Sequence, residues 1–91
     1  MTPGTPVLVS ASLVTHGTMS LSWQLPTSGC DSVKISRNKD GGAFSVAKTL
    51  TGTATSTQDS PGHANGKYCF TVACVLGGVT SSESNEKCVT Q

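Results

Sequence analysis

The side chains with the widest chemical reach in this sequence are its four cysteines, Cys30, Cys69, Cys74 and Cys88. A cysteine can bridge, ligate a soft metal or act as a nucleophile, and spacing separates these uses. A structural zinc site needs four converging ligands, usually in pairs two to four residues apart. Only Cys69 and Cys74 come near that, and on an extended strand two residues five apart point to opposite faces. A reactive thiolate needs a neighbour that lowers its pKa, and no histidine adjoins any of the four. Bridging is the favoured reading, ahead of free buried thiols, and four cysteines allow three pairings.

Other chemistry finds little support. An enzyme must bring a nucleophile, a base and a charge stabiliser into one pocket. The only histidines, His16 and His63, fall in turn-like stretches and read as surface residues. Asp31, Asp40, Asp59, Glu83 and Glu86 are scattered over loops and strand ends without forming a paired-carboxylate pattern. Asp59 reads as a turn residue bonding its own backbone. Gly41-Gly42 and Gly77-Gly78 lack the strand, glycine-rich loop and helix that cradle a phosphate. Lys34, Arg37, Lys39 and Lys48 read as a solvated basic face. No catalytic, cofactor-binding or metal-ligating residue is expected, and no cofactor.

Ninety-one residues suit one domain, taken as 1–91 with 1–5 linker-like. Four aromatic residues are few for a core of this size, which raises the importance of any bridge. A net charge of +1 with 12% charged residues does not suit nucleic-acid binding, which needs a concentrated basic face. No apolar run approaches the length of a membrane helix. The opening Met1-Thr-Pro-Gly-Thr-Pro6 has no signal-peptide pattern, which leaves a cytosolic chain or, the favoured reading, a piece cut from a longer secreted precursor.

The elements emerge from period-2 alternation punctuated by Gly, Pro, Asn and Asp. A first strand is expected over about Val7 to Val14, with Val9, Ala11 and Leu13 on one face. Met19, Leu21 and Trp23 alternate with Ser20, Ser22 and Gln24 until Pro26 stops the ladder. Val33 and Ile35 mark a third strand, and Asp40-Gly41-Gly42 a tight turn. A fourth strand over Ala43 to Leu50 and a Thr-rich edge strand within Thr51 to Gln58 come next. Tyr68, Phe70, Val72 and Cys74 share one face of a long strand, Gly77-Gly78 turns the chain, and Glu83 to Thr90 closes it. The core is expected from Val9, Met19, Leu21, Trp23, Val33, Ile35, Tyr68, Phe70 and Val72.

In their order these segments resemble the fibronectin type III family over nearly the whole chain. The resemblance rests on Pro6 with Val9 and Ala11, on Met19-Ser-Leu21-Ser-Trp23 before Pro26, on Val33-Lys-Ile35-Ser-Arg37 before Gly41-Gly42, on Asp59 ahead of Tyr68-x-Phe70-x-Val72-x-Cys74, and on Gly77-Gly78 through Ser84-Asn85. It implies an all-β, seven-stranded immunoglobulin-like sandwich of two antiparallel sheets. It also implies that Tyr68 forms a tyrosine corner, its hydroxyl bonded to backbone a few residues upstream. Cys74 departs from the family, which usually has a small apolar residue there, and most relatives fold without disulfides. The style is most similar to bacterial modules of secreted multidomain enzymes and surface proteins.

This fold implies a pairing. A closing hairpin that turns at Gly77-Gly78-Val79-Thr80 sets Cys69, nine before Gly78, opposite Cys88, nine after Val79. Cys74 then lies at the same end as the loop holding Cys30, so Cys30–Cys74 and Cys69–Cys88 are expected. Such bridges contribute about 3–4 kcal/mol each in the chain-entropy model and imply an oxidising, secreted setting. The leading functional expectation is a monomeric, non-catalytic spacer or accessory module of a larger secreted protein, such as a polysaccharide-degrading enzyme, with neighbouring domains as partners. The alternatives are a recognition module for protein or glycan, and a structural subunit of a surface or viral assembly. Recognition would use the 26–31 and 76–83 loops, through Thr27, Ser28, Gly29, Gly77, Gly78, Val79 and Thr80. No Arg-Gly-Asp tripeptide is present to carry over the family's integrin contact, and nucleic acid and membrane insertion are not expected.

Overall fold

Met19, Leu21 and Trp23 all point inward from one strand and are fully or almost fully buried, while the serines between them face outward. This alternation builds the molecule. In the computed structural model, which describes residues 3–62 and 64–91, eight strands form and no helix occurs among the described residues. They are β1 (Val7–Thr15), β2 (Thr18–Gln24), β3 (Ser32–Lys39), β4 (Ser45–Thr51), β5 (Ser56–Asp59), β6 (Lys67–Leu76), β7 (Val79–Thr80) and β8 (Lys87–Thr90). One antiparallel sheet has the order β1-β2-β5. The other has β4-β3-β6, with both β7 and β8 pairing the far edge of β6. Their inner faces enclose Leu8, Met19, Leu21, Trp23, Val33, Ile35, Tyr68, Phe70, Val72 and Val89. Met1, Thr2 and His63 lie outside the described residues, and with them fall part of the segment expected to be linker-like and the expected surface placement of His63.

Val9 does not belong to the core. It is 49% exposed, whereas Leu8 is 1% exposed. The cause is a β-bulge: Leu8 pairs with Trp23 and Ser10 with Ser22, which leaves Val9 as the extra residue. The bulge reverses the phase, so Leu8 faces inward before it and Ala11, opposite Leu21, faces inward after it.

The strand count is eight rather than seven because the closing segment is broken. The turn is tighter than expected, with Leu76 paired to Val79, so Val79 and Thr80 are strand residues and Gly77-Gly78 alone form the tip. Their φ values of 59° and 77° are those of a two-residue hairpin that glycine adopts without a Cβ penalty. From Thr80 to Lys87 the chain advances seven residues while β6 advances five, from Val75 to Phe70, so two residues are extra. Ser81 and Ser84 absorb them. Their N–H groups donate to the carbonyls of Cys74 and Val72, each at 2.8 Å. The N–H groups of Cys74 and Val72 in turn donate to the hydroxyls of Ser81 and Ser84, at 2.9 and 2.8 Å. Two serine oxygens thus replace backbone carbonyls in the ladder, and the register that faces Cys69 to Cys88 is recovered at β8.

Asp59 is not a self-bonded turn residue. It ends β5, is 6% exposed, and pairs with the guanidinium of Arg37 across the gap between the sheets. Both lie at inward-facing positions, Arg37 opposite Phe70 and Asp59 opposite Met19.

Candidate functional site

The fold brings together the two loops expected to form a binding end. β2 ends and β3 begins at the pole where β6 turns into β7, because β3 and β6 run antiparallel with Ser32 opposite Val75. The Asp31 N–H donates to the Val75 carbonyl at 2.6 Å, and the Asp31 carboxylate accepts the Gly77 N–H at 2.8 Å. The Cys30–Cys74 bridge lies beneath, with 5.5 Å between the Cα atoms. Gly29 N–H closes a turn onto the Pro26 carbonyl at 3.1 Å, and Thr27 and Ser28 stand exposed at its apex. The loop is held from behind as well. A Cβ on Gly52, in the β4–β5 turn, would fall 1.9 Å from the Cys30 carbonyl oxygen, so only glycine permits this approach. The segment before β1 completes the pole: Gly4 N–H donates to the Ser28 hydroxyl at 3.1 Å, and Pro3 and Pro6 are buried.

The exposed tips offer hydroxyls, backbone and the half-exposed Val79, but no aromatic side chain. No cavity opens among the described residues. Backbone bonds and a covalent bridge make this pole a rigid cap rather than an adaptable loop pair.

The second bridge, Cys69–Cys88, joins β6 to β8 toward the other pole, with 4.0 Å between Cα atoms. Glu86 lies beside it, and its carboxylate and the two sulfurs fall within 4.8 Å of one another. Two of these three donors are committed to the covalent bond, so the group is not a metal-ligand set as it stands. At this pole Gln91 ties the β1–β2 turn to the β5–β6 loop. Its backbone exchanges two 3.0 Å hydrogen bonds with Gly66, and its amide accepts from Gly17 N–H and donates to the carbonyls of Gly62 and Ala64. Gln91 carries no sequence signal beyond its polarity, and Asn85, which the family resemblance includes, gives no sign in the sequence that its amide bonds both the N–H and the carbonyl of Leu8.

The basic residues do not form one solvated face. Arg37 turns inward to Asp59, and Lys48, opposite Ile35, reaches across to the Gln58 carbonyl at 2.6 Å. Lys39 stands 5.8 Å above the Tyr68 ring, which leaves Lys34 without these neighbours on the outer face. His16 lies in the β1–β2 turn.

One further contact decides the comparison with known folds. The Tyr68 hydroxyl donates to the carbonyl of Ala64, four residues upstream, at 2.7 Å. Solved structures share the overall fold. A Fn3-like protein from Clostridium thermocellum is 27% identical, with a TM-score of 0.82 over 98% of this chain and 93% of its own. An FN3 domain of human collagen XX is 25% identical, with a TM-score of 0.79 over 96% of this chain and 90% of its own. A two-domain fibronectin type III segment of chicken tenascin is 25% identical, with a TM-score of 0.84, and this chain spans 99% of itself and 51% of that segment. The chain has the fibronectin type III fold. No family model and no curated protein sequence matches it.

Within the fibronectin type III frame, Tyr68 makes the tyrosine corner and Trp23 is the buried tryptophan of β2, its indole N–H donating to the Ala54 carbonyl at 2.9 Å. The fold supports a non-catalytic module, and solved neighbours include domains of multidomain proteins. The two bridges are consistent with an extracellular domain, and among the described residues no helix is long and apolar enough to cross a membrane.

Proposed function

We propose that this chain is a non-catalytic spacer module of a larger secreted protein, of the accessory kind that accompanies polysaccharide-degrading enzymes. The observation that carries the reading is the anchoring of both ends of the domain at opposite poles of a body 40 Å long. Pro3 to Pro6 are packed against the β2–β3 loop, and Gln91 is bonded to the β1–β2 and β5–β6 loops at the far end. A module held this way fixes the distance and direction between the neighbours on its two sides. The two bridges support an oxidising compartment. The test replaces the domain in its parent by a flexible Gly/Ser linker. The expected result is lower activity on an extended or insoluble substrate with unchanged turnover of a small soluble one. A sharp loss on the small substrate sinks the proposal.

A second reading has one specific observation in its favour, the convergence of the β2–β3 and β6–β7 loops at one pole. It assigns recognition of a protein or glycan to Thr27, Ser28, the Gly77-Gly78 tip and the adjoining Val79 and Thr80 of β7. Loop-dependent retention on a glycan array or an immobilised partner, lost on replacing Thr27 and Ser28 by alanine, would favour it over a pure spacer.

A further inference from the structure

The order in which the two bridges join the chain has a mechanical consequence. Tension between the poles is carried by the shortest covalent path. From the N-terminal side that path runs to Cys30, crosses to Cys74, traces β6 to Cys69, crosses to Cys88 and leaves through β8. The middle stretch, residues 69–74, already lies in an extended strand that points from one pole toward the other, so pulling adds almost nothing there. β6 is also paired on both sides, by β3 and by β7 and β8, and its residues from Tyr68 to Cys74 are buried. Residues 31–68 and 75–87 lie outside the path altogether. The only slack in the load path is the chain before Cys30, which comprises β1 and β2.

We propose that the two bridges act in series as an extension limiter: under tension along its long axis the domain yields β1 and β2 and then stops, held by the covalent line through β6. The path of about 40 residues spans at most about 140 Å when drawn out, against about 330 Å for the whole chain without bridges, at roughly 3.6 Å per residue. Its biological use rests on the spacer reading: a neighbour stays within a fixed reach however hard it is pulled. Its test does not, because contour length reports the bridges alone whereas linker replacement reports the spacer role, so either can fail without the other.

The experiment stretches the full oxidised chain between handles attached at its two ends in an optical trap. Subtracting the folded length of 40 Å, the expected gain is about 100 Å for the oxidised chain and about 290 Å after full reduction. Each bridge leaves its own signature. The Cys69→Ser/Cys88→Ser pair should give about 130 Å, and the Cys30→Ser/Cys74→Ser pair about 220 Å, because the loops they release differ in length. Should a serine pair fail to fold, the oxidised molecule suffices: dithiothreitol added after the first step should release about 190 Å more. A gain near 290 Å in the oxidised chain, or no second step on reduction, overturns the proposal.

Discussion

Replacing Ser84 by alanine tests the irregular ladder between β6 and the closing segment. The Ser84 hydroxyl accepts the N–H of Val72 at 2.8 Å and donates to the Asn85 carbonyl at 2.9 Å. Ser84 is buried, and Val72 on the central strand is fully so. Alanine keeps the Cβ and the backbone bond from Ser84 N–H to the Val72 carbonyl, so packing is almost unchanged. The loss is the acceptor of a buried amide, and leaving such a donor unpaired costs about 1–3 kcal/mol. Against a total stability of about 5–15 kcal/mol for a domain of this kind, that is a large fraction. Urea denaturation monitored by Trp23 fluorescence should show the midpoint falling by about 1–2 M at unchanged slope. Amide hydrogen exchange gives the sharper readout, because protection at Val72 should fall more than at Ile35, which sits on the neighbouring strand β3. Ser84→Thr, which keeps a hydroxyl, should recover most of the loss. A Ser84→Ala protein as stable as the parent, with Val72 still protected, would refute the claim that this oxygen stands in for a backbone carbonyl.

The same structure sets three further expectations. Leu8→Ala should cost about 2–5 kcal/mol and Val9→Ala within about 0.5 kcal/mol, read as shifts in urea midpoint; the reverse order would contradict the bulge in β1. Tyr68→Phe should cost only about 0.5–1.5 kcal/mol, because the Ala64 carbonyl keeps a donor in the Gln91 amide at 3.0 Å, and combining it with Gln91→Ala should cost more than the two single losses together. Gly52→Ala should lower the melting temperature by more than about 8 °C, equivalent to about 2 kcal/mol or more, since its methyl would occupy the space of the Cys30 carbonyl; a neutral result would mean that the β2–β3 loop is not held from behind.

Much of this architecture was legible from side-chain alternation. Met19, Leu21 and Trp23, and again Val33 and Ile35, sit at the alternate positions that bury one face of a strand, and they are buried. Turns were legible where glycine demanded them, at Gly77-Gly78 and beside Asp40, the one non-glycine residue with positive φ among those described, at 52°. The features that escaped have a common cause: they break the two-residue period or act across the gap between sheets. Val9 lies in a run of apolar residues that alternates in either phase, and only pairing with β2 reveals which residue is extra. Ser81 and Ser84, three residues apart, would point to opposite faces of one straight strand, yet both hydroxyls turn back to the neighbouring backbone. Asp59 and Arg37 are 22 residues apart, and nothing local to either marks them as partners.

These exceptions converge on how the sandwich is closed. Two sheets laid face to face leave two open corners, where edge strands present unpaired backbone groups that invite a strand from another chain. At the corner between β4 and β5, the inward-facing Lys48 spans the gap and donates to the Gln58 carbonyl, and a bulge breaks the β3–β4 register beside it. At the corner between β1 and β8, the Asn85 amide occupies both backbone groups of Leu8, as a partner strand would, and β1 carries two register breaks of its own. In both places a polar side chain from one sheet takes up backbone bonding groups on the edge of the other. The two jobs could not be done by an apolar residue, which would fill the corner but leave the edge free to pair. An all-β chain with few aromatic residues thus guards its edges with local polar contacts, while its bridges fasten the β2–β3 loop and β8 to the central strand β6. The same economy explains why the corner residues stand out so little in the sequence: each needs only one amide or ammonium at the right place, not a motif.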